Sequence, residues 1–120
     1  KELEIPSSVV SIDSYAFNKC KSMIKITIPS SVTFIGNYAF RGCSSLVEIE
    51  IPSSIDKIGV GLFCECSSLK KIKIPSNVTS ISYSAFFGCS SLEQIINQSN
   101  VKIDPEDLYD CPSNLKITKK

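Results

Sequence analysis

The chain has 120 residues, of which 42% are hydrophobic and 21% charged, and its formal net charge is +1. This composition predicts one soluble globular domain over residues 1–120, without the accumulated basic charge that favours nucleic-acid binding. No apolar stretch approaches the roughly 20 residues of a membrane-spanning helix. Histidine is absent, so the commonest general base and metal ligand is missing. The sequence therefore predicts a protein without enzymatic activity, cofactor or metal.

A 23-residue repeat accounts for nearly the whole chain. The motif Ile-Pro-Ser-Ser-Val begins at residue 5 and returns, with small changes, at residues 28, 51 and 74. A phenylalanine and a cysteine follow each copy at fixed distances, and a degenerate copy begins near residue 97. Because four close copies keep one spacing, the repetition predicts a solenoid of stacked coils.

Each Ile-Pro motif is preceded by alternating apolar and polar residues, as in Lys71-Ile72-Lys73-Ile74. This alternation predicts a half-buried strand with its isoleucines inward. Proline cannot donate a ladder hydrogen bond, so it ends the strand, and the serine pair turns the chain. An apolar pair such as Val32 and Ile35 then predicts a second short strand or extended segment.

A short helical turn is expected next, at Tyr15-Ala16-Phe17 and the equivalent residues of the other repeats. Gly42 and Gly88 follow where a left-handed residue commonly ends a helix. We therefore predict an α/β-type leucine-rich repeat solenoid, a right-handed coil with one parallel strand per repeat, a second extended segment and a helical turn. The position before this turn carries residues that favour a helix N-cap, namely Asp13, Gly36, Gly59, Ser82 and Asp104.

The consensus L-x-x-I-x-I-P-S-S-V-x-x-I-G-x-x-A-F-x-G-C resembles the BspA-like leucine-rich repeat family, found in surface proteins of bacteria and protozoan parasites. The resemblance implies a cell-surface or secreted adhesion module that binds a protein ligand on its sheet face. The alternative is an intracellular scaffold or regulatory subunit that binds a partner protein on the same face. No binding residue can be transferred from the family, because the shared positions are core and turn residues.

The outward positions of the predicted strands are the candidate partner-binding residues. The sign of their charge alternates over much of the face, which predicts lateral ion pairs that fix the strand register, a mixed-charge docking surface for a protein, or both. The alternation argues against a polyanion site. The candidates are Lys25, Thr27, Glu48, Glu50, Lys71 and Lys73.

Five of the six cysteines occupy one repeat position. Cysteine is a small hydrophobe and parallel Cβ vectors disfavour disulfides, so this predicts a structural ladder of buried thiols. Cys64 lies outside the ladder and is expected to be more exposed, because its counterparts include Asn18 and Arg41. The spacing from Cys64 to Cys66 is too short to indicate a zinc site. The ladder residues are Cys20, Cys43, Cys66, Cys89 and Cys111.

The two ends of the array differ in sequence. The degenerate last repeat has the character of a cap over the core, whereas Leu3 and Ile5 already occupy core positions of the repeat. An uncovered first coil exposes apolar residues and a free strand edge. We therefore expect the N-terminal end to be covered by another protomer, giving a homo-oligomer, or by further repeats.

Two asparagines, Asn77 and Asn97, begin N-x-Ser/Thr sequons. Such sites carry a glycan only in a protein that a eukaryote secretes. Asn77 also replaces a serine of the repeat, so a role in the turn is the simpler interpretation.

Overall fold

The computed structural model describes residues 2–119, apart from the side chains of Pro105 and Asp107. The chain forms a solenoid that measures 38 × 30 × 21 Å along its principal axes. Each coil contributes one strand to a sheet face, and most coils add a two-residue strand on a second face. The sheet-face strands are β1 (Glu2–Glu4), β3 (Lys25–Thr27), β5 (Glu48–Glu50), β7 (Lys71–Ile74), β9 (Gln94–Asn97) and β10 (Lys116–Thr118). The second-face strands are β2 (Ser11–Ile12), β4 (Phe34–Ile35), β6 (Lys57–Ile58) and β8 (Ser80–Ile81).

All strand pairs in the described part of the chain are parallel, and they join residues of the same repeat position. Lys25, for example, lies between Glu2 and Glu48. Strands β1, β3 and β5 form one three-stranded sheet, and β7, β9 and β10 form another. Strands β5 and β7 pack beside each other between the two sheets, without joining them into one hydrogen-bonded sheet. The predictions of stacked parallel strands and of a second short strand are confirmed.

A column of phenylalanine rings runs along the core of the solenoid. The ring centroids of Phe17 and Phe40 are 5.4 Å apart, those of Phe40 and Phe63 are 6.0 Å apart, and Phe86 continues the stack at 6.1 Å. The last three rings are fully buried. Inward isoleucines and leucines of neighbouring coils pack around them. Each stacked pair contributes about 0.5–1.5 kcal/mol beyond the burial of its surface.

The predicted helical turn at Tyr15-Ala16-Phe17 and its equivalents is wrong. The amide of Phe17 donates to the carbonyl of Ala39 in the next coil at 2.8 Å, while the amide of Ala16 closes a tight turn onto Asp13 at 3.1 Å. An amide that bonds to a neighbouring coil cannot also form the hydrogen bonds of a helix. The φ angles of Tyr15 and Lys19, 62° and 61°, are left-handed and also interrupt helical geometry. Among the described residues, the one helical element is a 3₁₀ helix in the degenerate coil, Pro105–Leu108.

The glycines before the turn have a steric role instead of capping a helix. A Cβ atom on Gly36 would lie 2.3 Å from the backbone nitrogen of Ser14 in the preceding coil. Gly42 and Gly88 do adopt left-handed φ angles, 71° and 77°, although they follow a turn and end no helix. A side chain at Gly36 would therefore clash with the preceding coil, although Ser82 occupies the same repeat position in a later coil.

The second serine of the Ile-Pro-Ser-Ser motif links neighbouring coils at Ser31 and Ser54. The Ser31 hydroxyl donates to the carbonyl of Val9 at 2.7 Å, and the Ser54 hydroxyl donates to the carbonyl of Val32 at 2.5 Å. In the next coil an asparagine amide takes the place of the hydroxyl. These repeated side-chain bonds satisfy carbonyls at the bend that follows each sheet-face strand.

Both ends of the solenoid leave apolar side chains partly accessible. Leu3 is 38% exposed at the N-terminal end and lies in an open groove with Val9 and Phe17. At the C-terminal end Leu115 packs against the core, while Ile117 is 45% exposed. The degenerate last coil therefore covers the core only in part.

Candidate functional site on the strand face

The structure brings the six candidate partner-binding residues together on one surface. Pairing of β3 with β5 places Lys25 beside Glu48 and Thr27 beside Glu50. The neighbouring strand β7 adds two lysines at the equivalent positions. All six residues line one open groove of the sheet face, which we call the strand-face groove: Lys25, Thr27, Glu48, Glu50, Lys71 and Lys73.

The groove also includes residues that the sequence analysis did not select. Val47 and Lys70 occupy one repeat position directly before the strands and line the groove beside the six candidates. Val47 is 37% exposed, and Ile24 at the same position of the preceding coil is 46% exposed. The signal in the sequence was the apolar residue, Ile24 or Val47, that directly precedes the first outward polar residue of a strand. It could have identified this position as part of the groove.

The predicted lateral ion pairs between strand-face charges are not formed within residues 2–119. The ion pairs found there join Arg41 to Glu65 at 3.7 Å and Lys70 to Glu93 at 3.9 Å. None of the six candidates makes a side-chain hydrogen bond to another described residue. Their polar groups are therefore available to a ligand, and the register is held by the backbone ladder and the core.

The repeated cysteines form a column of thiols that contacts the backbone of the stacked phenylalanines. The Cys43 thiol donates to the carbonyl of Phe17 at 3.1 Å, and the Cys66 thiol makes the equivalent bond to Phe40 at 3.1 Å. The same contact recurs at Cys89 and Cys111, with sulfur–oxygen distances of 3.2 Å in both cases. All five cysteines of the column, including half-buried Cys20, are free thiols.

Burial determines the chemistry of these thiols. It raises the pKa of Cys43 to about 11, and it raises the pKa of Cys66 and of Cys89 still further. A thiol reacts and binds metals as its thiolate, so the raised pKa values keep Cys43, Cys66 and Cys89 protonated and unreactive at neutral pH. Its contribution is the filling of the core and the donation of one weak hydrogen bond per coil.

The expectation of a more exposed Cys64 holds only relative to the inner ladder thiols of Cys43, Cys66 and Cys89, which are fully buried; Cys64 is not a surface residue. The residue is buried, with 7% of its surface exposed, and Arg41 of the preceding coil is close enough to influence the pKa of its thiol. Burial and the nearby Glu65 carboxylate raise the pKa of Cys64, while Arg41 opposes them. The sequence position suggested exposure because its counterparts are long or polar, but the thiol is buried between coils that carry those side chains.

Both sequon asparagines use their side-chain amides within the fold. Asn97 is 8% exposed, its Nδ2 atom donates to the carbonyl of Val101 at 2.8 Å, and its Oδ1 atom accepts from Ser99. The Nδ2 atom of Asn77 donates to the carbonyls of Ser53 and Ile55. A glycan replaces one of the two hydrogens on Nδ2, so a glycosylated Asn77 could not keep both of its bonds.

No cluster of three or more histidine, cysteine, aspartate or glutamate side chains among residues 2–119 could hold a metal ion. Nor do these residues include a helix with the length and apolar character to cross a membrane.

Comparison with known proteins identifies the repeat. Residues 1–116 match the model of the BspA type leucine rich repeat region in six copies. The chain belongs to the BspA-type leucine-rich repeat family. A leucine rich cell surface protein of Faecalibacterium prausnitzii is 36% identical and superposes with a TM-score of 0.91, over 98% of this chain and 31% of that protein. No curated protein sequence matches the chain.

Two other solved structures share the fold. A leucine-rich repeat protein of Bacteroides ovatus is 31% identical with a TM-score of 0.78, over 98% of this chain and 33% of its own. The pneumococcal vaccine antigen PcpA, 23% identical with a TM-score of 0.81 over 98% of this chain and 28% of its own, shares the fold. The chain spans about a third of the length of the first two relatives.

Proposed function

We propose that this BspA-type repeat domain is a non-enzymatic protein-binding module of a cell-surface adhesion or host-interaction protein. The observation that carries the proposal is the strand-face groove. Six outward side chains from three consecutive coils converge on it, and none of them is engaged by another described residue. Charged groups left free on a rigid sheet favour a protein ligand with complementary charge, which they orient and select.

The surface location is supported by the relatives. The Faecalibacterium protein is described as a cell surface protein, and PcpA is described as a vaccine antigen. The charged character of the groove, without large aromatic anchors, indicates modest affinity. Within a longer array, several such domains would raise the total affinity through multivalency.

The experiment compares two variants with the same change of charge. Glu48→Lys alters the strand-face groove, and Asp56→Lys alters an exposed carboxylate between the two faces. The immobilised proteins are presented with a matrix extract and with a cytosolic extract, and retained proteins are identified by mass spectrometry. We expect a matrix protein to be retained by the unaltered protein and by Asp56→Lys, with at least tenfold weaker binding to Glu48→Lys, the equivalent of about 1.4 kcal/mol.

Two results contradict the proposal in different ways. Equal retention by both variants would remove the groove as the binding surface. Groove-dependent retention of a cytosolic protein alone would favour the intracellular scaffold over the adhesion module.

A further inference from the structure

The charges of the strand face are divided between its two sheets. In β1, β3 and β5 the outward carboxylates of Glu2, Glu4, Glu48 and Glu50 outnumber the single ammonium of Lys25, so this half carries −3. In β7, β9 and β10 the outward charges are all positive, and this half carries +3: Lys71, Lys73 and Lys116. The boundary between the halves is the boundary between the two hydrogen-bonded sheets.

A surface of this kind is complementary to itself. We infer that the strand face binds the strand face of a second copy of this chain, related to the first by a two-fold axis that runs parallel to the strands between β5 and β7. This inference rests on the proposed use of the strand face for protein binding, and it names one partner. An isologous contact of this type requires that each half of the surface meet the other half.

The strand order determines which residues meet across such an axis. Rotation about it reverses the order of the coils and keeps the direction of the strands, so β5 lies opposite β7 of the second copy and β1 lies opposite β10. Glu48 then faces Lys71 of the second copy and Glu50 faces its Lys73. At the ends of the face, Glu2 meets the equivalent of Lys116.

The remaining outward positions bring no like charges together. Strand β3 lies opposite β9, so Lys25 faces a neutral Gln94 and Thr27 faces a neutral Ile96. Glu4 faces the hydroxyl of Thr118. Each of the three opposite-charge pairs forms twice, because the contact is symmetric.

The other face-to-face arrangement is excluded by the same charges. A two-fold axis along the solenoid would place each strand against its own copy in the opposite direction. Glu48 would then meet Glu50 of the second copy, and Lys71 would meet Lys73. Like charges opposed in this way are repulsive, so the charge pattern selects the axis parallel to the strands.

The contact area limits the strength of the association. Six strands with a spacing of about 4.8 Å and three to four residues each give a flat patch of roughly 300 Å² per copy. A stable interface buries about 800 Å² per partner, so the dimer is weak and depends on its charges. We expect its dissociation constant to rise at least tenfold between about 0.01 M and 1 M salt, over which the screening length falls from about 30 Å to about 3 Å.

Sedimentation equilibrium of the full chain tests the inference with a charge exchange. The double variants Glu48→Lys with Glu50→Lys, and Lys71→Glu with Lys73→Glu, should each be monomeric, because each opposes like charges in its own dimer. An equimolar mixture of the two should associate, because every altered charge then meets an opposite one. Asp56→Lys, outside the face, should behave as the unaltered protein does.

If one double variant fails to fold, as judged by circular dichroism, the four changes combined in one chain restore opposite charges across the axis and should restore the dimer. A protein that stays monomeric at about 0.01 M salt overturns the inference. So does self-association that survives both double variants, and loss of that association in Leu3→Lys would place the contact at the N-terminal end. Groove-dependent capture of a matrix protein by a strictly monomeric chain would overturn the dimer while leaving the proposed function intact.

Discussion

The phenylalanine column provides the sharpest measure of how this solenoid is stabilised. Phe63 is fully buried and stacks on a ring at each side, at 6.0 and 6.1 Å. Its replacement by alanine removes the buried ring and leaves a cavity between two coils, which costs about 3–5 kcal/mol. A domain of this length has a total stability of roughly 6–18 kcal/mol, so Phe63→Ala removes a large fraction of it.

Two other phenylalanines serve as matched controls. Phe17 is half-buried and stacks on one ring only, at 5.4 Å, so Phe17→Ala should cost about half as much as the central change, roughly 2 kcal/mol. Phe34 lies outside the column and is 58% exposed, so Phe34→Ala should change the stability by no more than about 0.5 kcal/mol.

Equilibrium unfolding in urea, followed by far-ultraviolet circular dichroism, measures the three effects. With a denaturant slope of about 2 kcal/mol per molar, the midpoint should fall by roughly 2 M for Phe63→Ala and by roughly 1 M for Phe17→Ala. Equal losses at the centre and at the end would refute the reasoning, because they would show that stability does not depend on stacking between coils.

Two further predictions follow from the repeated side-chain contacts. Ser54→Ala removes the hydroxyl that donates to the carbonyl of Val32 and should lower the free energy of unfolding by about 1 kcal/mol. Ser53 is the exposed neighbour, and Ser53→Ala should change the free energy of unfolding by less than about 0.5 kcal/mol. Equal effects of the two changes would show that the hydrogen bond of Ser54 does not stabilise the fold. The folded-state pKa of Cys43 is raised from 9.0 to about 11, so its contribution to stability is complete below pH 9 and is lost as the pH rises towards 11. Between pH 9 and 11 the urea midpoint should fall less steeply with pH for Cys43→Ser than for the unaltered protein, because serine has no thiol to ionise. An equal pH dependence of the two proteins would contradict the raised pKa of Cys43.

The sequence by itself determined the architecture and the inward residues. A fixed spacing of 23 residues places equivalent residues above one another in any stacked arrangement, so the strands, the phenylalanine column and the positions on the outer face all follow from periodicity. In the degenerate last repeat the spacing is one residue shorter, and the strand pairing follows it, since Lys116 pairs with Gln94. These features depend on the alternation and repetition of residues, which are properties of the chain alone.

The tertiary structure decided what each coil contributes to its neighbour. Residues that favour a helix N-cap suggested a helical turn near Tyr15, but the amide of Phe17 bonds to a carbonyl of the next coil. The sequence alone does not specify which carbonyl accepts a given amide. Cys64 is buried, and Arg41 of another coil lies near its thiol, a proximity that local spacing does not encode. The sequence showed the outward charges as an alternation of sign. Their division into a negative half and a positive half became evident only from the structure, in which β5 and β7 belong to different sheets. Backbone pairing and side-chain cover between coils are collective properties of the stack, and for that reason they required the folded structure.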